Sequence, residues 1–317
     1  MLRRDQVENV LSSKRLVFLV GAPRSGTTWL QLLLSRSHWV VTGPETHVFS
    51  LFLRSMVDQW ERIGKTGERI GLNQVLSEEE FRALLRNVSG FVFAKIAQSK
   101  PSATIVLEKT PNHVSCWREI LDAWPEAHFI HIIRDPRSVV ASLRVASRSW
   151  ASHWASSKIS PNCERWIADV SSGRKIRSAT PNYHEVTFNE LISDGPDVVM
   201  RLLTQLGVQS SREECEGYVQ ECAIENLRAG NLKNSPFDIA KMHKESFRQG
   251  TIDGWRGELT SREIALIERL ARPLMLELGF QPVNHGRVIS ALLELDYRGK
   301  AVRKAAKSRF QALAERL

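Results

Sequence analysis

Residues 21 to 28, Gly-Ala-Pro-Arg-Ser-Gly-Thr-Thr, bracket an arginine between two glycines and follow it with hydroxyls. Gly21 and Gly26 permit a tight turn in which successive backbone N–H groups curl around an anion, and Ser25, Thr27 and Thr28 add hydroxyl donors. Up to Gly26 the spacing is that of a nucleoside-triphosphate loop, but Thr27 stands where such a loop carries lysine, so the cation on offer is Arg24. Arg134 and Ser142 form a second pair able to hold an anion, one a charge and the other a hydroxyl past Pro136. Two such sites imply a ligand with two separated phosphates. A third basic stretch, FRQGTIDGWRGEL, puts Arg248, Gly250, Trp255 and Arg256 on a loop able to close over that ligand.

The elements that must position these residues can be read from the apolar pattern. RLVFLV (15–20) is too short for a helix and too apolar for a surface strand, which suits a central parallel strand covered on both faces. TTWLQLLLS from Thr27 to Ser35 is helical, so the order is strand, glycine turn, helix. ATIVL (103–107) is a second strand leading through EKTPNH into a helix that Pro111 can start. HFIHII (128–133) is a third, entering RDPRSVVASLR, and YHEVTF (183–188) a fourth, followed by the helical PDVVMRLLTQLGV. Four strand-then-helix units predict an α/β fold of the P-loop type, three layers with a central parallel sheet and helices on both faces. Ligands of such sheets sit beyond the carboxyl ends of the strands, where 21–28, 108–113 and 134–142 fall. Two polar stretches, 145–182 with Trp150, Trp154 and Trp166, and 231–259, are expected to form lobes or lids. Ser77 with Glu80, and Thr260 with Glu263, have the spacing of helix capping boxes.

With 317 residues, 42% hydrophobic and 25% charged, the chain fits one large domain and needs no boundary. No apolar run is long enough to span a bilayer, and MLRRDQVENVLSSK breaks up before a signal-like core forms, so a cytoplasmic protein is expected. Cys116, Cys163, Cys215 and Cys222 are scattered without a Cys-x-x-Cys pair, which suits free thiols and argues against structural zinc. The net charge of +9 points to an anionic partner. Part of it lies in the last turns, Arg298 to Arg316, read as a solvated terminal helix over 298–317. The basic residues gather at strand ends rather than in an aromatic-laced stripe, which disfavours a nucleic-acid binder. A P-loop small-molecule kinase should carry the missing loop lysine and a Mg²⁺ carboxylate. A catalytically inactive nucleotide-binding relative stays open beside it as an alternative.

Together GAPRSGTTWL, RDPRSVVASL and RQGTIDGWR, in that order across most of the chain, resemble the sulfotransferases that use 3′-phosphoadenosine 5′-phosphosulfate (PAPS). The resemblance implies that Arg24, Ser25, Gly26, Thr27 and Thr28 cradle the 5′-phosphosulfate, with Trp29 packing near the adenine. It implies that Arg134 and Ser142 bind the 3′-phosphate, joined from the late loop by Arg248, Gln249 and Gly250. Many relatives have lysine where this chain has Arg24, and their late loop runs glycine then aspartate where this one runs Asp253-Gly254. The family works without a metal: a phosphosulfate carries less charge at the transferred group than a β–γ phosphate pair, so amides, hydroxyls and Arg24 suffice.

Sulfuryl transfer to an alcohol needs an in-line acceptor oxygen, a base for its proton and cations for the charge on the bridging oxygen. Relatives acting on carbohydrates carry an acidic element like GPETHVF (43–49), which by resemblance selects Glu45 as base, with His47 beside it. They also carry the E-K-[ST]-P element matched by Glu108 and Lys109, the lysine positioning or stabilising the transferring group. His47, His113 and Glu108 remain alternatives for the base. The acceptor is expected to be a small molecule, a carbohydrate or a secondary metabolite, sulfated on oxygen or nitrogen. These two elements look more like those of sugar-modifying and bacterial enzymes than like those of the cytosolic steroid enzymes.

Overall fold

The computed structural model describes residues 3–67, 69–241, 247 and 250–283; Arg248, Gln249 and the basic stretch 298–317 lie outside the described residues. The chain divides into two compact units. The first comprises residues 1–135 and 165–252 and holds the whole sheet; the second comprises 136–164 and the residues from Asp253 onward.

In the first unit, RLVFLV becomes β1 (Arg15–Val20), buried from Leu16 onward because it offers water no polar side. It lies at the centre of a five-stranded sheet with β2 (Val40–Thr42), β3 (Ile105–Lys109), β4 (His128–Ile133) and β5 (Tyr183–Thr187). The order is β2-β3-β1-β4-β5 and every pair is parallel. Side-chain alternation divides the apolar residues between two cores. Val17, Leu19, Ile105, Leu107, Ile130 and Ile132 pack with the helices Thr27–Ser35 and Gly195–Gln205. Leu16, Phe18, Val20, Val106 and Phe129 pack with the helix Glu78–Ala97 and with Ile120. Each fully buried side chain of this size contributes about 1.5–3 kcal/mol, so both faces must stay covered.

β2 has only three residues, fewer than a strand usually shows, and carries no readable pattern. β3 begins later than ATIVL suggests and takes in Glu108 and Lys109 as its last two residues. Being consecutive in a strand, these two point to opposite faces of the sheet. Pro111 opens a 3₁₀ turn, Pro111–Cys116, and the α-helix waits until Trp117–Ala123. The stretch expected as a lobe contains the helix Ile159–Ala179. In its first-unit part Trp166, Val170, Gly173 and Ile176 are buried at three- and four-residue steps, a stripe hidden in the sequence by the serines and basic residues between them.

In the second unit the helices Pro136–Ala146 and Ser261–Glu277 pack together. Arg137 is buried between Glu268, which accepts from its Nη1 at 2.6 Å, and the Trp255 ring, 4.1 Å from its guanidinium. Trp255, expected on a closing loop, is only 2% exposed and belongs to this core. Both anticipated capping boxes form, at Ser77 with Glu80 and at Thr260 with Glu263. Among the described residues no helix is long and apolar enough to cross a membrane.

Candidate active site

The carboxyl end of β1 runs into the turn 21–26, and the helix Thr27–Ser35 starts directly after it with Gly26 as its N-cap. The first N–H groups of a helix have no partner within it, so they face the turn's concave side. Two close approaches make the turn possible. A Cβ on Gly21 would stand 2.5 Å from the Ile132 carbonyl oxygen, and one on Gly26, where φ is +99°, 2.6 Å from the Phe188 ring. Of three non-glycine residues in the left-handed region among the described residues, Arg24 (φ 74°), His47 (φ 51°) and Asn234, two belong to this site. Such strain persists where the surroundings impose it. Ser25 is fully buried and its Oγ has no hydrogen-bond partner. A buried hydroxyl left unpaired beside the first amides of a helix fits an anionic group.

Lys109, on the face of β3 turned toward the loop helix, is 4% exposed. Its Nζ donates to Thr28 Oγ1 at 3.2 Å and to Glu45 Oε1 at 2.5 Å. The other Glu45 oxygen lies 3.3 Å from His47 Nε2, and His47 Nδ1 is 3.1 Å from Ser50 Oγ. Burial pushes the Glu45 carboxyl up, but the His47 hydrogen bond and the Lys109 charge outweigh it and hold the pKa at about 2. The segment carrying Glu45 is tethered from the loop helix itself: the buried Gln31 donates to Thr42 Oγ1 at 2.8 Å and to the Gly43 carbonyl at 2.7 Å.

Glu108, on the opposite face of β3, is 2% exposed. Its Oε1 accepts from Thr46 Oγ1 at 2.8 Å and Thr110 Oγ1 at 2.6 Å, and its Oε2 takes a proton bond from His113 Nδ1 at 2.8 Å. Phe49 N–H donates to His113 Nε2 at 3.2 Å, which places the ring proton on Nδ1. Burial raises the Glu108 carboxyl, and the bonds from His113, Thr110 and Thr46 bring it below the ordinary range. Glu108 and the fully buried His113 are thus occupied with one another and with the backbone around Glu45, and neither reaches out toward an acceptor.

Arg134, just past β4, donates to the Arg24 carbonyl at 3.3 Å and the Thr251 carbonyl at 3.1 Å, with its guanidinium 3.9 Å from the Phe188 ring. Trp166 Nε1 holds the Arg134 carbonyl at 2.9 Å. Trp29 lies against Phe188, ring centroids 5.9 Å apart, and its Nε1 donates to the Cys222 carbonyl at 3.0 Å. Arg24 to Trp29, Glu45, Lys109 and Arg134 are therefore gathered in the first unit, at strand ends. Gly250 is half-buried in that unit, next to Thr251. Ser142 is buried on Pro136–Ala146 of the second unit. Sequence reasoning passed over Phe188, which touches Gly26, Trp29 and Arg134 alike. Its position directly after β5 is the available signal, since the strand-end rule applies there too. Nothing in the sequence marks Gln31 or Trp166. Among the described residues, no three His, Cys, Asp or Glu side chains group as metal ligands.

Fold and site define an α/β protein of the phosphate-loop kind, with an anion cradle after its central strand and a lysine–carboxylate pair beside it. The sulfotransferase family profile matches residues 17–212, most of the chain. The chain belongs to that family and is a sulfotransferase. Over 321 positions it is 25% identical to nodulation protein NoeE of Sinorhizobium fredii, covering 93% of this chain and 72% of that protein. Over 128 residues it is 30% identical to protein-tyrosine sulfotransferase 1 of Danio rerio, covering 40% of this chain and 35% of that one. Its fold resembles mouse sulfotransferase SULT7A1 complexed with PAP (TM-score 0.54, 14% identity, 85% of this chain and 88% of that one). It also resembles the sulfotransferase domain of the Synechococcus PCC 7002 olefin synthase (TM-score 0.50, 19% identity, 81% and 96%).

Proposed function

We propose that the chain transfers a sulfuryl group from PAPS, in line, to a hydroxyl or nitrogen of a small-molecule, carbohydrate or secondary-metabolite acceptor, with Glu45 as base. The observation that carries this reading is the buried Lys109 ammonium, bonded at once to Thr28 of the anion loop and to Glu45. Cation, base and loop thus meet at one point. When bound, the donor supplies a sulfuryl group on a phosphate leaving group. Arg24, Ser25, Gly26, Thr27 and Thr28 hold that phosphosulfate. The unpaired Ser25 Oγ supports this assignment. Arg134 and Ser142, with Arg248, Gln249 and Gly250, take the 3′-phosphate, and Trp29 packs near the adenine.

Glu45 takes the acceptor proton while Arg24 and Lys109 offset charge on the bridging oxygen. A carboxylate with a pKa of about 2 is a weak base. Sharing Lys109 with an anionic donor loosens its hold and makes Glu45 more basic when the donor is in place. His47 steadies Glu45; Glu108 and His113 position the segment that carries it. No metal takes part, because Arg24 and Lys109 supply the positive charge. Both compact units serve as one sulfotransferase domain. Four free, buried cysteines support a reducing compartment such as the cytoplasm.

The test combines calorimetry and single-turnover kinetics. Glu45→Gln should slow transfer to an alcohol by roughly 10²- to 10⁴-fold with affinity for 3′,5′-diphosphoadenosine nearly unchanged. Arg134→Ala should weaken that nucleotide by roughly 1.5–3 kcal/mol but adenosine 5′-monophosphate little. Full activity of Glu45→Gln with collapse in His47→Ala moves the base to the histidine. Turnover that requires Mg²⁺ and uses ATP points to the kinase instead.

A further inference from the structure

At the opposite end of the same sheet, where the strands begin, the first unit has a cleft of about 1120 Å³. Its wall joins the starts of three strands through Arg15, Thr104 and His128, with Trp39 beside them. These residues are tied by the backbone: Arg15 N–H donates to the Thr104 carbonyl at 2.8 Å, and Thr104 N–H to the Trp39 carbonyl at 3.0 Å.

Three polar groups here lack partners. Trp39 Nε1 and Thr104 Oγ1 are shielded from solvent without a hydrogen bond. The half-buried Arg15 guanidinium has neither a carboxylate nor a hydrogen-bond acceptor among the described residues, and it is seated over Gly207, where a Cβ would come within 2.6 Å of Nη1. Its neighbour Lys14 adds positive charge. His128 Nδ1 lies 3.2 Å from His184 Nε2 with the rings stacked, and the Lys14 ammonium is fixed on the Pro101 and Ala103 carbonyls. Burial, then the charges of Arg15 and His184, push His128 down to about 4. The two carboxylates on the rim, Glu8 and Glu126, are exposed, and Glu8 is bonded to Arg4 at 3.0 Å. Leu11, Leu16, Val208 and Trp124 supply an apolar wall.

The geometry points to a second ligand site: this cleft binds a small organic oxyanion with an apolar body, its head held by the Arg15 fork, the Trp39 indole N–H and the Thr104 hydroxyl. A guanidinium fork matches a carboxylate or a phosphate, and the two orphan donors complete an oxygen-rich head. The site is separate from the donor loop, since β1 runs from Arg15 to the turn and spans about 17 Å at the usual rise of a strand. No step of the proposed transfer uses it.

The full chain, saturated with 3′,5′-diphosphoadenosine so that the donor loop is filled, is titrated with phenyl phosphate and with benzoate while the indole N–H resonances are followed. Trp39→Phe assigns the Trp39 signal. The expected result is a saturable downfield shift of that signal with at least one probe, weakened at least tenfold in Arg15→Gln and severalfold in Thr104→Val. The tighter probe identifies the head group as phosphate or carboxylate. Should Arg15→Gln fail to fold, Thr104→Val, which keeps the branched shape and removes only the hydroxyl, decides alone. The site is overturned if neither probe moves the Trp39 signal saturably, or if the folded variants bind as tightly as the wild type.

Discussion

Glu45 and Glu108, which bonds the residue after Glu45, are two carboxylates with opposite relations to solvent. Glu45 is 38% exposed and held by Lys109 and His47. Because its pKa falls from the ordinary 4.5 to about 2 on folding, its contribution to stability is complete above pH 4.5 and is lost as pH falls toward 2. The melting temperatures of wild type and Glu45→Gln should therefore differ near neutrality and converge in acid. The difference is small, at most about 1 kcal/mol, since water screens the pair. Glu108 is sealed in and accepts only. Glu108→Gln puts an NH₂ group among donors from Thr46, Thr110 and His113, so at least one buried bond is lost. Chemical denaturation should register a loss of about 1–3 kcal/mol. Transfer should slow through the displaced Glu45 while the nucleotide still binds.

The strand–turn–helix that carries the loop is the element with least room for change. Gly26→Ala meets the Phe188 ring and forces a left-handed φ on a residue with a Cβ. It should cost about 1–3 kcal/mol in stability from the backbone alone, and calorimetry should find nucleotide affinity reduced. This element was also the most legible part of the sequence. RLVFLV, the two glycines and TTWLQLLLS each carry a local signal, and the helix starts at Thr27 as its pattern predicts. β2 escaped notice because three residues cannot display alternation, and the helix Ile159–Ala179 because its polar residues outnumber its buried stripe. The candidate site was legible as residue types at strand ends. Which of those residues would meet was not: the two-residue shift in β3 sets Glu108 and Lys109 on opposite faces, and no composition encodes that register.

At the scale of the molecule, the second unit leans on one buried ion pair. Arg137→Leu strips Glu268, 3% exposed, of its guanidinium while the Val283 N–H still donates to it at 3.0 Å, and breaking a buried ion pair in this way costs about 3–5 kcal/mol. Hydrogen exchange should reveal faster opening of the helix Ser261–Glu277, with the strands of the first unit still protected. The sheet carries a liability of a different kind. β1 precedes every other strand in the chain yet lies in the middle of the order, between β3 and β4. During translation its apolar face therefore emerges long before either neighbour has been made. Until β4 leaves the ribosome, RLVFLV is an unpaired, sticky segment of nascent chain. The folding yield of the sheet is thus sensitive to chaperones and to the tempo of synthesis.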